Sequence, residues 1–247
     1  MSLRVGCDLD GVLADMESAL VRHAEALFGE PMTRVLQERA KQKHPSEPQT
    51  EHDGSAADPD ADNVPRLVTL DMSTRQERRL WQHIASVDGF WESLEEIEPG
   101  AVARLASHAE QRRWEVIFLT KRPESAGATA QVQSQRWLQA QGFTLPSVFV
   151  VQGSRGRVAE ALQLDFVIDD RPENCLDVVL DSKARAILIW RDDEKNLPVS
   201  ARRLGVGVVK SVAQCLAILE KVEAKRESAR LVDRVKKALG FDEAPDA

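Results

Sequence analysis

Six short apolar runs, separated by stretches with helical spacing, limit this chain's fold more than any other feature. They are Leu3–Asp8, Glu115–Thr120, Ser147–Gln152, Asp165–Asp169, Arg185–Trp190 and a shorter one near Val206–Val209. Within them, Val116-Ile117-Phe118-Leu119 and Ile187-Leu188-Ile189-Trp190 are apolar without a break. A strand with one wet face alternates, whereas an unbroken run suits a strand covered on both faces. Helical stripes lie between the runs: Val102, Leu105, Ala106 and Ala109, then Val132 and Leu138, then Val158, Ala161 and Leu162. Strands alternating with helices predict an α/β fold, a doubly wound parallel sheet with right-handed crossovers.

One interval breaks the rhythm. About a hundred residues separate the first run from the second, far more than a crossover needs. Met16, Leu20, Ala24, Leu27 and Phe28 trace one helix face there, and Leu80, Trp81, Ile84 and Val87 trace another. This predicts a helical cap over 15–98, inserted after the first strand of a core made of 1–14 and 99–210. Phe90 and Trp91 read as core at the cap–core junction rather than as a platform for a stacked base. The stretch 43–65 is polar and Pro-rich, which predicts a flexible loop, and its His44 and His52 lack any regular metal-ligand spacing. The basic run 34–43 reads as a solvated helix face. From 211 to 247 a helical extension is expected: Val212, Cys215, Leu216 and Leu219 could pack on the sheet, and a charged stretch follows.

Composition narrows the function classes. Hydrophobic residues make up 43% of 247, enough for a sizeable core, and the net charge of −7 argues against a nucleic-acid polymer as partner. The three cysteines are far apart, without a CxxC pair or zinc spacing. A reduced, cytoplasmic interior is the simplest expectation, with Cys7 and Cys215 as small core residues. No apolar run reaches membrane-spanning length, so no membrane partner is expected.

The chemistry should lie where strands end, because open α/β sheets bind ligands outside the carboxyl ends of their strands. Three runs end in polar residues: Asp8-Leu9-Asp10, Thr120-Lys121-Arg122-Pro123 and Asp169-Asp170-Arg171-Pro172. Two acids at the end of a buried strand are costly unless something cationic lies between them. The Asp-x-Asp-Gly spacing suits a nucleophilic carboxylate, a metal and a second acid.

Asp8-x-Asp10-Gly11-Val12, Thr120 after an apolar strand and Asp169-Asp170 after another resemble three motifs of the haloacid dehalogenase superfamily of phosphohydrolases. Two longer strings resemble its 5′(3′)-deoxyribonucleotidase family: Asp8-Leu9-Asp10-Gly11-Val12-Leu13-Ala14-Asp15, and Asp88-Gly89-Phe90-Trp91-Glu92-Ser93-Leu94 followed by Ile97-Glu98-Pro99-Gly100-Ala101. The resemblance implies a Mg²⁺-dependent phosphatase. In it Asp8 attacks phosphorus, and Asp8, Asp169 and the backbone carbonyl of Asp10 bind the metal. Asp170 would be a further ligand or support a ligand. The side chain of Asp10 would protonate the leaving oxygen and then activate water. Thr120 would donate to a phosphoryl oxygen, and the N–H groups of Leu9 and Lys121 would complete the cradle. Glu173 and Asn174 could hydrogen-bond around the metal. An acid at position 10 resembles the phosphate-processing branches, since a departing halide needs no proton.

One departure stands out. The family's third motif is a Lys, and Gln152-Gly153-Ser154-Arg155-Gly156-Arg157-Val158-Ala159 has none. Arg155 aligns best, Arg157 is an alternative, and Lys121 could supply the charge from the neighbouring strand end. The expected partner is a small phosphorylated metabolite, a nucleoside monophosphate by resemblance or else a sugar phosphate, and a homodimer is admitted. A catalytically weak metal- and phosphate-binding member of the family is the competing expectation.

Overall fold

The structure is a computed structural model describing residues 2–42 and 70–238. The expected loop at 43–65, with His44 and His52, lies outside them. Six strands form one all-parallel sheet: β1 (Arg4–Asp8), β2 (Glu115–Thr120), β3 (Ser147–Val150), β4 (Phe166–Asp169), β5 (Arg185–Ile189) and β6 (Gly207–Val209). Their order is β3-β2-β1-β4-β5-β6, so the chain winds outward from β1 in one direction and then from β4 in the other. The crevice between β1 and β4 is therefore the switch point of the doubly wound sheet.

Both faces are covered, which is why the strands are apolar throughout. Cys7, Phe118, Ile168 and Ile187 face α4 (Ala101–Arg112), α5 (Ala130–Ala140) and the long α9 (Val212–Ala238). Leu119, Val167, Ala186 and Leu188 face α6 (Arg155–Ala161), α7 (Pro172–Asp181) and α8 (Val199–Arg203). Between β1 and α4 the chain forms α1 (Met16–Phe28), α2 (Glu30–Gln42) and α3 (Thr74–Ser86). Asp15 caps α1, accepting from the Ser18 N–H at 3.0 Å, and Ser73 with Gln76 makes a capping box at α3. Phe90 and Trp91 return the chain to the core in a 3₁₀ turn, and both are fully buried.

Two helical stripes differ from expectation. Val132 is only half-buried, and the covered face of α5 carries Gln133 and Ser134 beside Trp137 and Leu138. In α6 the covered residues are Arg155, Gly156 and Ala159, while Val158 and Leu162 are half-buried and Ala161 is exposed. In both helices polar residues with specific partners occupy the inner face, so apolar spacing alone misplaces it.

Gln133 holds the returning chain in place. Its Oε1 accepts the Trp91 N–H at 3.1 Å, and its Nε2 donates to Ser125 Oγ and to the carbonyls of Ala126 and Ala128. At the opposite end of the sheet, α9 docks on α4 through Glu223. Its carboxylate accepts from Trp114 Nε1 at 2.9 Å and Arg112 Nη1 at 3.2 Å. Cys7 and Cys215 are buried. Among the described residues no helix is long and apolar enough to cross a membrane.

Candidate active site

Strand register brings the three polar ends together. Asp8 pairs with Leu119 on β2, so Thr120 stands one step further out, and Cys7 pairs with Ile168 on β4, so Asp169 stands level with Asp8. Beyond β1, the Leu9 carbonyl accepts the N–H groups of Leu13 and Ala14 at 2.9 and 2.7 Å, closing a tight turn. Gly11 holds φ +83° in that turn, and a Cβ there would run into the Asp170 carboxylate. Glycine is required on both counts. Arg191, just after β5, fastens the turn from outside by donating to the carbonyls of Gly11 at 2.5 Å and Val12 at 3.1 Å, and to Glu98 Oε1 at 2.8 Å.

Arg155 comes from the first turn of α6. Ser154 caps that helix, its hydroxyl accepting from the N–H groups of Gly156 and Arg157, which turns the Arg155 side chain inward. The Arg155 guanidinium is 4% exposed; Nη2 donates to Asp8 Oδ1 at 2.6 Å and Nε lies 3.7 Å from Asp169 Oδ2. One guanidinium thus spans both acids, through different nitrogens of its planar fork. Arg157 is exposed on the same helix and Lys121 is half-buried. Of the three candidate cations, the structure brings Arg155 to Asp8.

Asp169 also accepts from the Arg171 N–H at 2.9 Å and, through both oxygens, from Asn174 Nδ2 at 3.0 Å; Glu173 is exposed. Burial pushes the Asp8 carboxyl well above the usual carboxylate range; Asp169 adds to the push and Arg155 opposes it. Asp169 is raised by burial as well, again against Arg155. Asp170 is pushed up to about 7, first by burial and then by Asp169. Burial and mutual repulsion thus disfavour the charged forms of these acids together, and the nearby arginines offset only part of that.

The Asp10 side chain is gripped by Arg122, and the Thr120 hydroxyl, expected to donate to a phosphoryl oxygen, here donates to Asp10 Oδ2 at 3.1 Å. Sequence reading passed over Arg122 as one member of a polar strand end. The available signal was an arginine followed by Pro123, which holds the backbone extended where the strand leaves the sheet.

Among the described residues, two buried polar atoms of the site lack hydrogen-bond partners: Arg155 Nη1, a donor, and Asp170 Oδ1, an acceptor. Among the described residues no three His, Cys, Asp or Glu side chains gather closely enough to enclose a metal ion. Mg²⁺ is usually held by one or two carboxylates and keeps water and phosphate oxygens for its other positions. The open acceptor, the mutually repelling acids and the all-oxygen donor set fit such an ion.

No family model matches the chain, and no curated protein does. Solved structures do. One is a protein provisionally assigned as a β-phosphoglucomutase, from Thermotoga maritima, at 19% identity and TM-score 0.53, covering 89% of this chain and 99% of that one. The chain shares that protein's doubly wound α/β fold. A hydrolase from Pseudomonas syringae matches at 16% identity and TM-score 0.50, with 89% and 99% covered. A phosphonoacetaldehyde hydrolase-like protein from Oleispira antarctica matches at 15% and 0.50, with 91% and 93% covered. At such identities the likeness concerns the fold.

Proposed function

We propose that the chain hydrolyses small phosphomonoesters through an aspartyl-phosphate on Asp8, with a divalent cation. The observation that carries this reading is a pair of buried atoms without hydrogen-bond partners among the described residues: Arg155 Nη1, on the guanidinium that binds Asp8, and Asp170 Oδ1. A phosphoryl group with its cation would satisfy both: an anionic oxygen for the donor, a cation for the acceptor. Mg²⁺, held by Asp8, Asp169 and the Asp10 carbonyl with Asp170 alongside, would neutralise charge on the transferring phosphoryl group.

The remaining work belongs to the chain. An Asp8 oxygen bonds to phosphorus as the bond to the leaving oxygen breaks, and Asp10, entering the step with a proton, gives it to that oxygen. Arg155 offsets the charge of both the nucleophile and the phosphoryl oxygens. Asp10, now ionised, takes a proton from a water that attacks phosphorus, and phosphate departs from Asp8. The helices between β1 and α4 would close over the substrate and keep bulk water from the intermediate. A nucleoside monophosphate is favoured by the sequence resemblance alone; a sugar phosphate is the alternative.

The test is phosphate release from p-nitrophenyl phosphate with Mg²⁺ and with EDTA, followed by nucleotides, sugar phosphates and a haloacid. Asp8→Asn should lower turnover by at least about 10³-fold without changing the melting temperature much, since it removes the nucleophile. Unaltered turnover in that variant would mean a different nucleophile. Halide release without phosphate release would turn the reading to a dehalogenase. Silence on every substrate would favour the binding-only member of the family.

A further inference from the structure

Arg122 reaches its position from a strand end, yet its side chain is fully buried, and every nitrogen of its guanidinium has a partner. Nη2 donates to Asp10 Oδ1 at 2.8 Å, and Nε lies between the two carboxylate oxygens at 3.1 and 2.9 Å. Nη1 donates to Ser134 Oγ at 2.9 Å, and that hydroxyl donates in turn to the Ala130 carbonyl at 2.6 Å. The guanidinium carbon stands 4.9 Å from the Trp91 ring and 5.9 Å from the Trp137 ring. Both indoles are fixed by their own N–H groups, Trp91 on the Pro123 carbonyl at 3.0 Å and Trp137 on the Leu94 carbonyl at 2.7 Å. The cation therefore cannot swing away without unmaking contacts with Asp10 at the tip of β1, α5 and the turn at Phe90–Glu92.

A buried ion pair by itself is weak grounds for stability, because well-packed apolar side chains often do as well. What this pair supplies is direction. Two oxygens held by a planar fork, with Thr120 on one of them, leave the Asp10 carboxylate a single orientation at the tip of β1, two residues from Asp8. We propose that Arg122 is a positioning residue: it aims the Asp10 carboxyl group, which must carry a proton when substrate is bound, at the leaving-group oxygen, and the Trp91 stack ties that aim to the segment returning from the inserted helices. This rests on the phosphohydrolase reading above. It assigns a role to a side chain that touches neither phosphate nor metal in that mechanism.

The experiment is the leaving-group dependence of kcat/KM, which reports steps up to the transfer of phosphate to Asp8. An alkyl phosphate such as glycerol 2-phosphate needs a proton on its leaving oxygen, and p-nitrophenyl phosphate hardly does. Arg122→Lys keeps the charge and discards the fork. It should lower kcat/KM by about 10²-fold for the alkyl ester and less than about tenfold for the aryl ester, with Asp10→Asn showing the same ordering. Equal losses on both esters, or none, would overturn the proposal, since a merely structural role does not distinguish leaving groups. Should Arg122→Lys fail to fold by circular dichroism, Ser134→Ala, which frees only Nη1, replaces it. It should show the same ordering at smaller size, and equal losses would again overturn the role. Wild-type protein that releases no phosphate from any ester would instead overturn the phosphohydrolase reading itself, a result distinct from a lost ordering.

Discussion

Replacing Arg155 with Met tests whether one guanidinium is what allows Asp8 and Asp169 to share the crevice. Met fills similar space with no charge, so the perturbation is electrostatic. At an effective dielectric constant of about 20, charges about 4 Å apart attract by about 4 kcal/mol, and Arg155 faces two acids at 2.6 and 3.7 Å. The cost of drying the guanidinium offsets part of that attraction. Breaking a buried pair by removing one partner nevertheless destabilises by about 3–5 kcal/mol, because a charge is left without compensation.

The pH dependence makes the reasoning specific. Asp8 and Asp169 already sit above the usual 3.8 because of burial, with Arg155 opposing the rise. Without Arg155 they rise further. A carboxyl whose folded value exceeds its unfolded value contributes most at low pH and loses that contribution as pH climbs through the window between the two. The variant's deficit should therefore be small at pH 5, about 1–2 kcal/mol, and approach the full about 3–5 kcal/mol at pH 8. Urea unfolding in EDTA, with wild type and variant in parallel at both pH values, measures it. A deficit independent of pH, or one below about 1 kcal/mol at both, would refute the account of Arg155 as the shared counter-charge.

Three further outcomes are expected. Wild-type protein in EDTA should lose stability from pH 5 to pH 8, because Asp170 is pushed from 3.8 to about 7; that gap corresponds to at most about 4 kcal/mol, and Mg²⁺ should restore more at pH 8 than at pH 5 in the same melts. Stability rising with pH in EDTA would contradict this. Gly156→Ala should cost about 1–3 kcal/mol in urea unfolding and also lower phosphate release, since its Cβ would overlap the Asp177 carbonyl and push α6, with Arg155, away from α7. Glu223→Ala should cost about 1–3 kcal/mol by stranding the buried Trp114 N–H, with turnover at saturating substrate unchanged because that contact lies at the far end of the sheet.

The sheet was legible because it demands burial on both faces. Each of the six apolar runs coincides with a strand to within a residue or two, and the fold class follows from their alternation with helices. The convergence of Asp8, Thr120 and Asp169 was readable for the same reason, since parallel strands place their carboxyl ends at one edge. Arg155 emerged because its place in the chain matched a position where a cation was needed. Arg122 was hidden by the opposite circumstance. Its neighbours Lys121 and Pro123 look like any loop, and what identifies it, the stack on Trp91 and Trp137 and the hydroxyl of Ser134, comes from segments distant in sequence. Gln133 escaped notice likewise, because a buried glutamine serving four backbone and side-chain groups sits where periodicity expects an apolar residue.

Those two omissions share a cause that bears on the site itself. A fold that gathers acids at one sheet edge must deliver cations there from elsewhere, and each arrives with its own shell of partners. Arg155 comes from a capped helix start, Arg122 from a strand end between two indoles, and Arg191 from beyond β5 onto the carbonyls of the turn. All three are arginines, and all three use the fork to hold two groups at once: Asp8 with Asp169, Asp10 with Ser134, the turn with Glu98. Lysine could supply the charge at each place but not the planar, spread-out fork that sets these pairs of contacts. The arginine at position 155 is then one instance of a wider choice in this chain, in which the cations around the acids set geometry as well as charge.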